Sequence, residues 1–406
     1  MHQKTDSEFI RRKNRTLVLR SLRAAKTASR TDLSEETSLS PAALSGICGD
    51  LVREGLLVER RDQSPALRGR GRPRVALELN PDAAHVLAVE IGDAALSVAL
   101  ANYAGDVIES FSDGTIIETQ AQSLPSILIE RGDALLARAN LTRQHISAVS
   151  IAVQGVADQD KGQILWSPVL EDRNIDVTGP MHAAFGAPVI LSNDANMLAR
   201  VLHFERPADY DQDFIVVMVD RGVGAGLFLN GTPFEGAFGA AAEFGHMNHI
   251  PDGPLCRCGR KGCLEAFVSD YGIYRLARGD ASDKPRDRNS DCDLSGLVSG
   301  ARDGTDERAA QAFADAGRAL GFGLARLVTL FDPSRIALTG AALQAWDLLG
   351  PHCRKGFDDA LVGDLSRNVV VDVLPWDSNY IRNGTILAGL AFLDDSVFSM
   401  SEHATD

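Results

Sequence analysis

One histidine and three cysteines, His246, Cys256, Cys258 and Cys263, fall within eighteen residues of a chain that has six cysteines in 406 positions. Thiolate sulfur and neutral imidazole are the ligands a tetrahedral zinc ion takes. A Cys₃His set leaves no coordination position open, so the expected zinc is structural, not catalytic. Gly259 and Gly262 let the loop between the last two cysteines turn tightly enough for the sulfurs to converge. Any fold open to this chain must therefore bring four side chains to one point and hold their neighbours there. Two of those neighbours are carboxylates, Glu243 and Glu265. A histidine that binds metal through one ring nitrogen still offers the other for a hydrogen bond. Carboxylates accept from vicinal hydroxyls, so Glu243, His246 and Glu265 read as a clamp for a polyol.

The arrangement Glu243-Phe-Gly-His246 followed by Cys256-Arg-Cys258-Gly-Arg-Lys-Gly-Cys263-Leu-Glu265 resembles the zinc motif of the ROK family of repressors, open reading frames and sugar kinases. The resemblance extends through Gly222-Val-Gly-Ala-Gly226, Asn230-Gly231 and Asn193-Asp194-Ala195-Asn196, and covers the chain from about residue 80 onward. It implies an α/β fold with two lobes, of the ribonuclease-H-like kind found in actin and hexokinase, and a ligand in the cleft between them. The expected division is a DNA-binding unit over 1–79, a first lobe over 80–205 completed by a C-terminal helix over 385–395, and a second lobe over 206–384. By the same resemblance, Asn193 and Asp194 contact sugar hydroxyls, Asp194 at the position of the kinases' catalytic base. Taken alone, the pair at the end of the 188–192 strand reads as a plain helix N-cap; the metal motif downstream turns the reading to a ligand role, with capping as well. Gln154-Gly155 and Ser167-Pro168 match family loops near the site more weakly.

The net charge of −14 hides an asymmetry. Residues 1–79 hold 16 lysines and arginines against 10 acids, and the remainder holds 25 against 45. A basic head on an acidic body points to a polyanionic partner for the head. Leu17, Leu19, Leu22 and Ala25 suit an amphipathic helix over 14–25. Ser29-Arg-Thr-Asp32 has the form of a capping box opening a short helix. Ser40-Pro41 starts a second, with Leu44, Ile47, Leu51 and Val52 as its buried stripe and Gly55 just past its end. Two such helices and a tight turn make a helix-turn-helix. Strands over 56–59 and 74–79 would make it a winged one, with Arg68, Arg70, Arg72 and Arg74 in the wing.

Arg70-Gly-Arg72-Pro resembles an AT-hook, whose arginines enter a narrow minor groove; a basic linker that touches nothing is the alternative. Compared with ROK repressors, Ala43 and Gly46 replace a threonine and an arginine. The expected DNA-facing set is Ser40, Ala43, Ser45, Gly46, Arg53 and the four wing arginines, with weak direct readout by the helix.

The kinase side of the resemblance is less well kept. In ROK kinases the first hairpin holds the ATP phosphates with glycines and a threonine; here it reads Glu90, Gly92, Asp93 and Ala94. A carboxylate a few ångströms from a triphosphate repels it. The second phosphate loop begins Asp220-Arg221 in place of glycine-threonine, and Thr339-Gly340-Ala341 replaces a double glycine beside the adenosine. The expectation is a sugar-responsive regulator that binds a DNA operator as a homo-oligomer, dimer or tetramer, and is not an enzyme. An ATP-dependent sugar kinase with a fused DNA-binding head is the other reading. A third, in which the zinc itself is the signal, sits poorly with a closed site. With no run of about 18 apolar residues and no charged-then-apolar leader, no membrane span and a cytoplasmic location are expected. Six scattered or metal-type cysteines argue for a reducing compartment; Cys48, Cys292 and Cys353 read as packing or surface residues.

Overall fold

A computed structural model describes residues 2–61, 75–93, 95–113, 123–279, 294–363 and 368–400. The N-terminal elements are α1 (His2–Ala25), β1 (Thr27–Ser29), α2 (Arg30–Thr37), α3 (Pro41–Arg53), β2 (Leu57–Arg61) and β3 (Val75–Leu79). The expected caps are in place. Ser29 and Asp32 exchange hydrogen bonds as a capping box, and the Ser40 hydroxyl accepts from Ala43 N ahead of Pro41. β2 and β1 flank β3, both antiparallel to it. Three details differ from expectation. α1 begins at His2 and not near Asn14. Val52 is only half-buried, its place on the inner face of α3 taken by Cys48, which is fully buried. β1, at three residues, is too short to show a period in sequence. The wing expected between β2 and β3, with Arg68, Arg70, Arg72 and Arg74, lies outside the described residues, as do Ala94 and Cys292.

The rest of the chain builds two five-stranded sheets. The first contains β4 (His85–Ile91), β5 (Leu96–Asn102), β6 (Val107–Asp113), β7 (Ile146–Val153) and β11 (Val189–Asn193). Between β7 and β11, a small antiparallel sheet is made by β8 (Val156–Asp158), β9 (Gln163–Trp166) and β10 (Ile175–Asp176). The second large sheet contains β12 (Phe214–Val219), β13 (Val223–Leu229), β14 (Thr232–Pro233), β15 (Arg335–Thr339) and β16 (Val370–Val373). Each has the same plan: an antiparallel three-strand meander whose first strand pairs in parallel with a later strand, which pairs in parallel with a fifth. The architecture is thus the two-lobed α/β one expected. The repeat is one of topology, and no sequence repeat betrays it.

Five longer helices complete the frame: α4 (Leu124–Arg138), α5 (Asp194–Glu205), α6 (Glu307–Phe331), α7 (Trp346–Ala360) and α8 (Tyr380–Phe392), the last followed by a wide turn over Leu393–Val397. α6 and α7 lie almost backbone to backbone. A Cβ on Gly321 would sit 2.2 Å from the Cys353 carbonyl oxygen, and one on Gly317 would sit 2.4 Å from that of Leu349. Only glycine permits that approach.

One hydrophobic core runs unbroken from the buried faces of α1 and α3 (Leu19, Leu22, Leu44, Leu51) into β4, β5 and α8 (Val86, Ala99, Ile386, Leu390). Over it lie polar bolts. Arg15 reaches Glu54 and the Phe398 carbonyl, and Arg20 pairs with Asp395 at 2.6 Å. Arg23 pairs with Asp394 at 3.0 Å, both side chains being buried. No described helix is long and apolar enough to cross a membrane.

Candidate functional site

The loop after β14 brings the predicted metal ligands together. One ligand atom each from His246, Cys256, Cys258 and Cys263 lies within 4.8 Å of all the others. Cys256 Sγ is 3.5 Å from His246 Nδ1, and the sulfurs of Cys258 and Cys263 are 3.6 Å apart. Tetrahedral Zn–S bonds of about 2.3 Å place ligand atoms roughly 3.7 Å from one another, so the cluster has the spacing and chemistry for that ion. Gly262 has φ +80°, and a Cβ there would fall 1.9 Å from the Ile250 carbonyl oxygen, so no other residue fits the turn. The hydrogen bond from Cys256, and then the one with His246, hold the Cys258 thiol well below its usual range, toward the thiolate a metal needs.

His246 turns Nδ1 toward the cysteines and leaves Nε2 facing Glu243, 3.8 Å from Oε2. Both border a small cavity of about 50 Å³ that Asn193, Asp194 and Glu265 also line. All five residues expected to meet a sugar therefore share one wall. The cavity shares Gln154, Asp194, Met218 and Gly222 with a larger one of about 380 Å³ that occupies the rest of the cleft.

The five are held differently. Asn193 caps α5, its Oδ1 accepting from Ala195 N at 2.7 Å, while Nδ2 donates to the Gly155 carbonyl at 2.7 Å. Glu265 is braced on both oxygens: Oε2 accepts from Val223 N at 3.2 Å and Oε1 from the Tyr271 hydroxyl at 3.0 Å. It ties the metal loop to the start of β13. Asp194 is buried, and burial pushes its carboxyl up to about 7, against the pull of the Ala195 N–H; Glu90 and Glu243 push the same way as burial. Burial likewise raises Glu90 to about 7, with Arg382 opposing.

Two residues, one on this wall and one behind it, carried no signal strong enough to be singled out in sequence. Trp166, at the end of β9, lines the cavity and meets the His246 ring edge-on at 5.3 Å. Tyr271 bridges Glu265 and Cys256, with its hydroxyl 3.6 Å from the sulfur. An aromatic residue beside a family-like Ser-Pro pair was the one available clue to Trp166.

On the other side of the cleft, Asp93 Oδ2 lies 3.5 Å from Arg257 Nη1 and 3.7 Å from Arg221 Nη1. Arg257 sits between two of the cysteines. Its guanidinium stacks on Tyr271 at 4.5 Å and donates to the Arg221 carbonyl at 3.1 Å. The metal loop thus reaches across to the hairpin between β4 and β5. Asp220 is largely buried, and burial raises its carboxyl.

Ser40, Ala43, Ser45, Gly46 and Arg53 all lie on the exposed face of α3. A Cβ on Gly46 would meet nothing. Arg53 pairs with Asp50 at 2.9 Å, a bond that an exposed side chain exchanges readily with solvent or phosphate. The face is therefore smooth and poor in donors.

The ROK family profile matches residues 86–385. The xylose repressor of Caldicellulosiruptor bescii is 27% identical over 341 residues, covering 82% of this chain and 84% of that one. The DNA-binding transcriptional dual regulator NagC of Escherichia coli is 26% identical, covering 85% and 84%. Among solved structures, a ROK family transcriptional regulator, described as a homologue of the E. coli Mlc protein, superposes with a TM-score of 0.77 at 25% identity, covering 95% of this chain and 97% of its own. A ROK family glucokinase from Streptomyces griseus, solved with glucose and AMPPNP, superposes with a TM-score of 0.60 at 25% identity and covers 75% of this chain.

Proposed function

This chain belongs to the ROK family, and from that membership and the geometry of its cleft we propose that it is a sugar-responsive transcriptional regulator. Residues 1–79 bind an operator, and the two lobes bind a monosaccharide or a derivative of one without chemical turnover. The observation that carries this reading is the hydrophobic core that α3 and α1 share with β4 and α8. β4 carries Glu90 next to its last residue and α8 carries Arg382, both lining the cleft. A ligand that alters the seating of these two elements moves the helix expected to meet DNA. The coupling is the difference in its affinity for the two seatings.

Within the small cavity, Asp194, Glu243 and Nε2 of His246 are the groups with capacity left for sugar hydroxyls. Asn193 and Glu265 position them as well as lining the wall. Trp166 offers an apolar face for a pyranose ring. His246, Cys256, Cys258 and Cys263 would hold a zinc ion, which when bound supplies a rigid crosslink and fixes the His246 ring. Because His246 reaches the cluster through Nδ1, its other nitrogen faces the ligand.

Asp93 supports the absence of kinase activity. Where a triphosphate would need open backbone N–H groups, the hairpin presents a carboxylate already matched to Arg221 and Arg257. Asp194 keeps the position of a base, and the larger cavity beside it is bordered by Asp93 and Asp220, carboxylates that disfavour a phosphoryl donor. The smooth face of α3 leaves most of the DNA affinity to the arginines of residues 68–74. The protein acts as a cytoplasmic homo-oligomer, since an operator with two half-sites needs two copies of α3.

Thermal shift against xylose, glucose and N-acetylglucosamine, each with and without ATP and magnesium, tests the reading. Stabilisation by one sugar and none by ATP is expected. A clear ATP shift followed by phosphoryl transfer to the sugar would replace the regulator with a kinase.

A further inference from the structure

The two large sheets are joined in two different ways. On one side, α5 presses its backbone against both β13 and α8. A Cβ on Gly226 would sit 2.2 Å from the Ala195 carbonyl oxygen, and one on Gly384 would sit 2.0 Å from that of Met197. Packing this close leaves little freedom to slide. On the other side, the β4–β5 turn meets the β12–β13 turn, and these turns hold the same place in the two meanders. There the joint is polar. Asp93 of the first turn lies 3.7 Å from Arg221 of the second and 3.5 Å from Arg257 of the metal loop.

This joint has the properties of one that opens and closes. Asp93 and Arg257 are 14% and 12% exposed, so solvent does not cancel their attraction as it does for a surface pair. A fully formed charge-assisted bond runs about 2.7–2.9 Å, so the pair is engaged without being drawn tight. Each partner is anchored on its own side. Asp93 N donates to Gln154 Oε1 at 3.0 Å, fixing the turn to the end of β7. Arg257 stacks on Tyr271. Arg257 also has a second acid to turn to. Burial raises the Asp270 carboxyl to about 6 and Arg257 opposes this, so Asp270 is within electrostatic reach of the guanidinium.

We infer that Asp93 and Arg257 form a closure latch for the cleft. Paired, they hold the first turns of the two sheets together; parted, Arg257 falls back on Asp270 and the turns separate. The latch is geared to the expected sugar clamp, because the Tyr271 ring under Arg257 carries the hydroxyl that donates to Glu265. A ligand held by Glu243, His246 and Glu265 favours the paired state, and the paired fraction sets its apparent affinity. The inference rests on the sugar reading for the identity of that ligand and not for the movement.

Amide hydrogen exchange on the full-length protein tests the movement without any ligand. The Gly92, Asp220 and Val223 amides each donate a hydrogen bond at these turns, so their exchange reports local opening. Asp93→Asn keeps the shape and removes the charge, and should speed exchange at all three about tenfold while the glycine contacts of α5 stay protected. Arg257→Gln should act in the same direction. The double variant should exchange no faster than Asp93→Asn alone, because a broken latch is not broken twice. Calorimetry should show that each variant binds the sugar that stabilises wild type about tenfold more weakly. Asp93→Asn lies outside the metal loop and carries the test if elemental analysis finds that Arg257→Gln has lost its metal. Wild-type exchange in Asp93→Asn, effects that multiply in the double variant, or faster exchange with unchanged sugar affinity would each overturn the proposal. Faster exchange in a protein whose wild type binds no sugar would remove the sugar reading and leave the latch standing.

Discussion

Arg23 of α1 and Asp394, 371 residues later, form a buried bidentate pair, with Arg23 Nη2 3.0 Å from each carboxylate oxygen. The Tyr103 hydroxyl donates to the same carboxylate at 2.6 Å. Three distant parts of the chain therefore share one polar knot at the edge of the common core. Breaking a buried pair leaves an uncompensated charge, at a cost of about 3–5 kcal/mol. Arg23→Met should lower stability by that order in denaturant unfolding. The Arg23→Met, Asp394→Leu double variant should recover much of it. A single variant within about 0.5 kcal/mol of wild type would mean that the knot is solvated.

Metal content gives a direct prediction. The purified protein should carry one zinc per chain by elemental analysis. Cys258→Ser should lose it and melt lower by on the order of 10 °C, since metal-site energy is folding energy. Cys353→Ser, at a buried cysteine of α7 outside the cluster, should keep the metal. Equal zinc in wild type and Cys258→Ser would refute the assignment.

Stability should depend on pH through Asp194. Its carboxyl is raised to about 7 in the folded chain, against about 3.9 unfolded. Between those values the folded state holds a proton that the unfolded chain has released. This contribution is therefore complete below about pH 4 and is lost as pH rises through about 7. Asp194→Asn mimics the protonated form. It should be more stable than wild type at pH 8, nearly equal at pH 4, and less pH-dependent between. Parallel melting profiles would contradict the raised value.

The Asp93 bridge predicts a gain of function for an anion. Removing the carboxylate while leaving Arg221 and Arg257 in place turns that side of the cleft positive. Asp93→Asn should bind pyrophosphate about tenfold more tightly than wild type at low salt, with the difference shrinking as salt rises. Unchanged affinity by calorimetry would show that the arginines do not face the cleft in solution.

Much of this architecture was legible because it is written locally. Ser40-Pro41 dictates where α3 starts, and the cysteine spacing brings the ligands together without reference to the rest of the fold. What could not be read depends on partners far along the chain. Nothing near Arg23 or Asp394 points to the other. Cys48 completes an i, i+3, i+4, i+7 stripe with Leu44, Ile47 and Leu51, a place the helical period offers but that Val52, the more apolar-looking residue, draws attention from. Glu265 reads as a free clamp residue, yet Tyr271 and the Val223 N–H occupy both its oxygens. The twofold plan of the sheets is invisible because matching strands share a topology and no residues.

The central claim is that ligand occupancy of the cleft alters DNA binding by residues 1–79. The most direct measurement selects bound sequences from a random duplex pool, then follows affinity by fluorescence anisotropy with xylose, glucose or N-acetylglucosamine present. The account predicts sequence-specific binding that one sugar shifts by about tenfold, a typical coupling energy. His246→Ala should abolish the shift without abolishing DNA binding. Specific binding that no sugar alters, or no binding above the non-specific level, would contradict it.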